Sequence, residues 1–144
     1  MYIDSTVSSN ENVIRLINEV NGTEFKSEQL IALNPVAFTP VDPEINNTSV
    51  TIRAIPGTGF SGSVPMKYRR ADLMEVTYIP VRSFDVFPGM TAELLTPLAE
   101  MSLGLPPGNI DVMRFRPNAP LVTIKAKPDS LLVTGEYDFV LEWH

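Results

Sequence analysis

Cysteine is absent from the 144 residues, which excludes disulfides, thiolate zinc sites and a cysteine nucleophile. Histidine occurs once, as the last residue, His144. A histidine–carboxylate relay or a histidine metal site needs a ring held by its surroundings, and chain ends are usually loose. Positive charge is also scarce. Lys and Arg number 11 against 17 Asp and Glu, for a net charge of −6. Such a balance argues against nucleic acid or an anionic membrane surface as the main partner. No apolar run approaches the roughly 20 residues of a membrane-spanning helix. Met1–Asn10 has neither a basic n-region nor an apolar h-region, so no signal peptide is expected.

What the chain has is a globular composition: 44% apolar and 19% charged residues, too apolar for a disordered segment. Its length suits one ordinary domain or two very small ones, and a half of about 70 residues is marginal as an independent core. Prolines number 13, which predicts short elements, stiff connections and edge strands.

One pattern occurs twice. Val50–Pro56 reads V-T-I-R-A-I-P and Val122–Pro128 reads V-T-I-K-A-K-P. Each continues through a glycine-containing connection into a second alternating stretch, Ser61–Arg70 and Thr134–Trp143. Alternation of this kind predicts two β-hairpins. In the second, Val122, Ile124 and Ala126 face the core with Tyr137, Phe139, Leu141 and Trp143. Lys125 and Lys127 then point outward with Glu136, Asp138 and Glu142.

Ahead of each hairpin lies a helix. Ser8 and Glu11 form a capping box, Val13, Ile14, Leu16, Ile17 and Val20 recur at helical spacing, and Asn21-Gly22 ends the run. Thr91 caps the second helix. Leu94, Leu95, Leu98 and Met101 are its predicted inward face, Gly104 begins its end, and Pro97 predicts a kink or a later start. Met1–Val7 and Phe84–Val86 read as short strands, Val76–Val81 as a strand pushed to an edge by Pro80, and Ser27–Leu30 as an extra helical turn. Leu33–Asn47 reads as a proline-rich arm with a short edge strand at Val36–Phe38. The predicted fold class is α+β. Two related strand–helix–hairpin units, residues 1–73 and 74–144, pack as one body with helices on one face of an antiparallel sheet.

Candidate chemistry is thin. Gly57-Thr-Gly59-Phe-Ser-Gly62 matches G-x-G-x-x-G, but a phosphate site needs the third glycine to open a helix, and Ser63–Met66 reads as strand. A hairpin connection is the expectation. Asp42 with Glu44, and Asp72 with Glu75, are carboxylate pairs that a glycosidase or a hard cation could use, yet nothing in the sequence fixes their geometry. No G-x-S-x-G elbow accompanies the serines. Tyr78, Phe84, Phe87 and Phe115 could form an aromatic platform, although packing is the default for aromatics at strand spacing. No catalytic residue, cofactor, metal or small-molecule substrate is predicted, and the chain reads as a non-enzyme.

Leu16–Thr23, Asn47–Val64 and Tyr68–Leu73 together resemble an uncharacterised repeat domain of virion structural proteins from giant tailed bacteriophages. There a helix ending in N-G-T precedes a V-T-x-x-A-x-x-G-(S/T)-G-(Y/F)-x-G-(S/T)-V hairpin and an R-x-D-L exit. Thr91–Trp143 is similar to the looser second copy that often follows, although Gly104–Pro107 replaces N-G-T there and most hairpin glycines are gone. The resemblance implies a multi-copy structural component of the virion, made without a signal peptide. Its partners would be other virion proteins and possibly itself, with a head-associated or decorating role favoured over tail or baseplate. The alternative is a carbohydrate-binding or adhesin-like surface module. Interface candidates are Tyr2, Ile3, Val36, Phe38, Val41, Tyr78, Ile79, Val81, Phe84 and Phe87, drawn from the N-terminal strand, the proline-rich arm and the linker Tyr78–Pro88. They are apolar and fit neither repeat well.

Overall fold

The structure is a computed structural model that describes residues 2–76 and 81–144. Helix α1 covers Ser9–Asn21; Ser8 Oγ accepts the Glu11 N–H, and Gly22 closes the helix in the left-handed region. Its core side is Val13, Ile14 and Ile17. Strands β1 (Leu30–Ala37), β2 (Thr48–Ala54) and β3 (Ser63–Tyr68) follow as an antiparallel sheet in that order. β2 alternates as its sequence demands, with Thr48, Val50 and Ile52 buried.

After a two-residue strand β4 (Ala71–Asp72), the second half brings β5 (Ser83–Val86), α2 (Ala92–Leu103), β6 (Ile110–Met113), β7 (Leu121–Ala126), β8 (Val133–Thr134) and β9 (Glu136–Trp143). The larger sheet has the order β5-β9-β7-β6. Its core is the predicted hairpin, in the register Val122↔Phe139 and Ile124↔Tyr137. Val122, Ile124, Phe139 and Leu141 are buried, and Tyr137 and Trp143 pack against them. The α+β class is as expected, and each half carries a helix followed by a three-stranded antiparallel meander, β1-β2-β3 and β6-β7-β9.

Several expectations are corrected. The helices lie next to different sheets, α1 beside β1 and α2 beside β6. The sheets are not purely antiparallel, because β5 pairs parallel to β9 and β4 parallel to β8. Residues 2–7 form no strand. Instead, Asn12 receives the Asp4 N–H on its side-chain oxygen and donates to the Asp4 carbonyl, so a buried asparagine supplies the pairing a neighbouring strand would have given. Ser27–Gln29 is a turn and Leu30 opens β1, which takes up the first part of the supposed arm. Pro97 neither breaks nor delays α2.

The α2 phase also differs. Leu95, Ala99 and Leu103 are buried, whereas Leu94, Leu98 and Met101 are exposed. Counted back from the glycine caps, Leu95 and Ala99 fall where Val13 and Ile17 do. Apolar residues surround nearly the whole of α2, so periodicity could not choose its inner face. Val20, expected inward on α1, is likewise exposed.

Buried apolar side chains from both halves belong to one cluster. A polar seam runs between the halves. Tyr68 donates its hydroxyl to the Leu131 carbonyl at 2.7 Å. Ser130 Oγ donates to Asn109 Oδ1 at 2.7 Å, and Asn109 Nδ2 donates to Ser9 Oγ at 2.9 Å. Burial pushes the Tyr68 phenol up to about 12, so it stays a neutral donor at any ordinary pH.

Candidate interaction surfaces

The interface candidates separate into distinct environments. Tyr2, Val36, Val41 and Phe87 are exposed, Val41 by 79%. Ile3 and Val81 are half-buried against the core. Phe38 is half-buried, with Lys67 Nζ 5.3 Å above its ring. Phe84 is a correction: it lies in the core at 5.2 Å from Phe139 and presents no surface. Inward placement in β5 is what period-two alternation gives for Phe84 and Val86 together. Tyr78 and Ile79 lie outside the described residues. Of the aromatic platform Tyr78, Phe84, Phe87 and Phe115, Phe115 is half-buried beside Trp143, and only Phe87 is an exposed ring among the described residues.

Other residues, missed at the sequence level, add exposed apolar surface. Leu94, Leu98 and Met101 stand at i, i+4 and i+7 on the outer side of α2, exposed by 53%, 41% and 76%. Positions at that spacing share one helix face. Their signal was present in the sequence but was read as the core side.

Two clefts accompany these patches. One, of about 360 Å³, lies between α1 and the first hairpin and is lined by Ile17, Phe25, Leu30, Ile52, Phe60 and Met66 among others. Phe60, on the glycine loop, meets Phe25 edge-on at 5.5 Å. The glycines of that loop have φ of +84°, +87° and +90° at Gly57, Gly59 and Gly62. Only glycine adopts such angles freely, so the G-x-G-x-x-G spacing is a requirement of the β2–β3 turn, as expected. The second cleft, of about 580 Å³, lies between the end of β1 and the β7–β8 turn and includes Arg70, Lys125 and Lys127.

The carboxylate pairs serve local structure. Glu44 accepts the Asn46 N–H, Asp72 accepts the Met74 N–H, and Glu75 pairs with Arg69 at 3.1 Å. Among the described residues no cluster of three potential metal ligands occurs. Asp72 also holds the half-buried Tyr137 phenol above its usual range by accepting its hydrogen bond. His144 lies 3.0 Å from Asp85 at the surface, and the contact holds the Asp85 carboxyl below its usual range.

Residues 4–142 match the family described as a family of unknown function (DUF7941). The chain belongs to that family. The DUF7941 match takes in both helices and both hairpins, so the family unit is the whole two-part fold and not one half. No curated protein and no solved structure matches the chain. No described helix is long and apolar enough to cross a membrane.

Proposed function

We propose that this DUF7941 chain is a non-enzymatic structural component of a large tailed phage particle, present in many copies and acting through protein–protein contacts. The observation that carries the reading is the outward row Leu94, Leu98 and Met101 on α2. A helix with an apolar outer face leaves hydrophobic area in water that a partner surface removes. The sequence resemblance of Asn47–Leu73 to virion structural domains supplies the setting, and a head-associated or decorating position is favoured. The exposed Val41 and Ile45 on the loop after β1 offer a second, smaller contact.

The test is mass spectrometry of purified particles from the source, with copy number, alongside light scattering of the recombinant protein. The expected result is an abundant particle protein whose Leu94→Ser/Leu98→Ser/Met101→Ser variant stays folded but is not incorporated. Absence of the protein from particles overturns the reading, and normal incorporation of the variant removes α2 from it.

A further inference from the structure

We propose that the cleft between the end of β1 and the β7–β8 turn is an oxyanion site, taking a phosphate or carboxylate group against Arg70 with Lys125 and Lys127 at its rim. The proposal is independent of any role in a particle. Its volume of about 580 Å³ falls within the ~300–1,000 Å³ of small-ligand sites.

The argument centres on Arg70. The residue is only 4% exposed, and its guanidinium has neutral partners: Nε donates to Thr48 Oγ1 and Nη1 to the Ser130 carbonyl, both at 2.8 Å. No Asp or Glu forms an ion pair with it among the described residues, and the undescribed residues 1 and 77–80 contain neither Asp nor Glu. Burial lowers its pKa, and among the described residues the titratable neighbour acting on it is Tyr68, itself neutral at ordinary pH. A guanidinium nevertheless stays protonated in proteins. Arg70 is thus a buried positive charge without a counter-charge, whereas buried charges are ordinarily paired.

The cleft wall supplies the rest. Three cations, Arg70, Lys125 and Lys127, line it against one carboxylate, Glu136. The rim lysines are partly compensated: Lys125 lies between Asp111 and Glu136 in the ladder, and Lys127 Nζ is 4.0 Å from Asp111. Excess charge therefore concentrates at Arg70. Pro35, Val36, Ala37 and Val133 form apolar walls, and low-dielectric walls strengthen a charge–charge contact. A guanidinium edge matches a two-oxygen acceptor, which is the geometry of phosphate and carboxylate alike.

The experiment is a titration of the full, ¹⁵N-labelled chain with sodium phosphate and, separately, sodium glutarate, at constant ionic strength with chloride as the control. We expect saturable shifts confined to the Arg70 Nε–H and the Lys127 and Gly135 amides. A tighter response to phosphate assigns a phosphate group as the natural occupant, and a tighter response to glutarate assigns an acidic side chain or chain end. Arg70 also ties β2 to the 127–130 turn, so replacing it perturbs folding and binding together. The rim variant Lys125→Gln/Lys127→Gln separates the two. It should keep a dispersed spectrum and weaken binding about tenfold, equivalent to ~1.4 kcal/mol. Shifts that fail to saturate with either anion, or that spread over all Lys and Arg alike, overturn the proposal, as does unchanged affinity in the rim variant.

Discussion

Ile124 is where the fold can be tested hardest. It is fully buried in β7, an inner strand of the larger sheet, opposite Val112 on β6 and Tyr137 on β9. Shortening it removes packing on both sides. Ile→Val in such a site costs about 0.5–1.5 kcal/mol and Ile→Ala about 2–5 kcal/mol. Ile124→Asp deletes comparable hydrocarbon and adds a carboxyl with no partner, a further ~1–3 kcal/mol even when the group goes in neutral. The sum, about 3–8 kcal/mol, rivals the ~5–15 kcal/mol stability of a whole domain.

The assay is thermal unfolding of the Val, Ala and Asp variants at position 124. At roughly 2.1 cal/mol/K per residue, 144 residues give an unfolding entropy of about 0.3 kcal/mol/K. Ile124→Val should then lower Tm by about 3 °C and Ile124→Ala by about 10 °C. Ile124→Asp should lower it by roughly 10–25 °C. Its pH dependence has a definite sign. Burial raises the folded-state pKa of the introduced carboxyl above its unfolded value of ~3.9. The defect is therefore smallest below that unfolded value and grows as pH rises towards the folded one. Val140→Ala, on the outward side of β9, is the control and should stay within about 0.5 kcal/mol. A Tm for Ile124→Asp within a few degrees of wild type would refute the assignment of this hairpin to the core.

Three further outcomes follow from local geometry. At Gly135, φ is +108° and an added Cβ would lie 2.9 Å from Tyr137 Cε2 and 3.0 Å from Asp72 Oδ2; Gly135→Ala should cost about 1–3 kcal/mol, and an unchanged Tm would contradict it. Thr91 accepts the Leu94 N–H at the start of α2; Thr91→Ala should lose ~1 kcal/mol, read as a lower denaturant midpoint at unchanged slope, with Thr91→Ser recovering most of it. Asp4 is held down to about 2, first by the Thr6 hydroxyl, then by the Thr6 N–H and Arg15. That contribution is present above its unfolded pKa of ~3.9 and fades as pH falls through about 2. An NMR titration of the Asp4 carboxyl with a midpoint near ~3.9 would show that the N-terminal turn is not formed.

Much of the fold was legible because it depends on local rules. Ser8 and Thr91 cap their helices, Gly22 and Gly104 end them, and both hairpins keep the pairing that alternation predicts. What escaped depends on long-range partners. Nothing local says that Asn10 will donate to the Leu30 carbonyl and accept the Ala32 N–H, or that Asn47 will bracket the Arg70 peptide from 23 residues away. Asn18 likewise holds Phe25, donating to its carbonyl and accepting its N–H. The candidate surfaces were legible in part. Val36, Val41 and Phe87 are where apolar residues in proline-rich stretches were expected, whereas Phe84 and the α2 row exchanged places with the core. The α2 error arises because apolar residues surround nearly the whole helix, so periodicity cannot say which side faces in; the Phe84 error overlooked the alternation of Phe84 and Val86 with Ser83 and Asp85.

Pairing at open sheet edges is a general route to assembly, and the sheet edges here argue for another. Each outer strand of the three-stranded sheet contains a proline, Pro35 in β1 and Pro65 in β3. Pro65 lacks the N–H that a further strand would need, and β1 is also broken by a register shift between Leu33 and Val36. The outer strands of the larger sheet, β5 and β6, have four residues each, too short for a long added ladder. These features blunt an edge against unwanted pairing. Exposed apolar side chains gather off the strands on the face of α2 and on the loop carrying Val41 and Ile45, while those on the edge strands, Val36, Val64 and Met113, stand singly. A contact made by faces is set by side-chain shape, not by the generic backbone of an open strand, and so discriminates between partners. Under the proposed role, in which the chain joins a particle in one place and does not stack on itself without limit, faces serve better than edges.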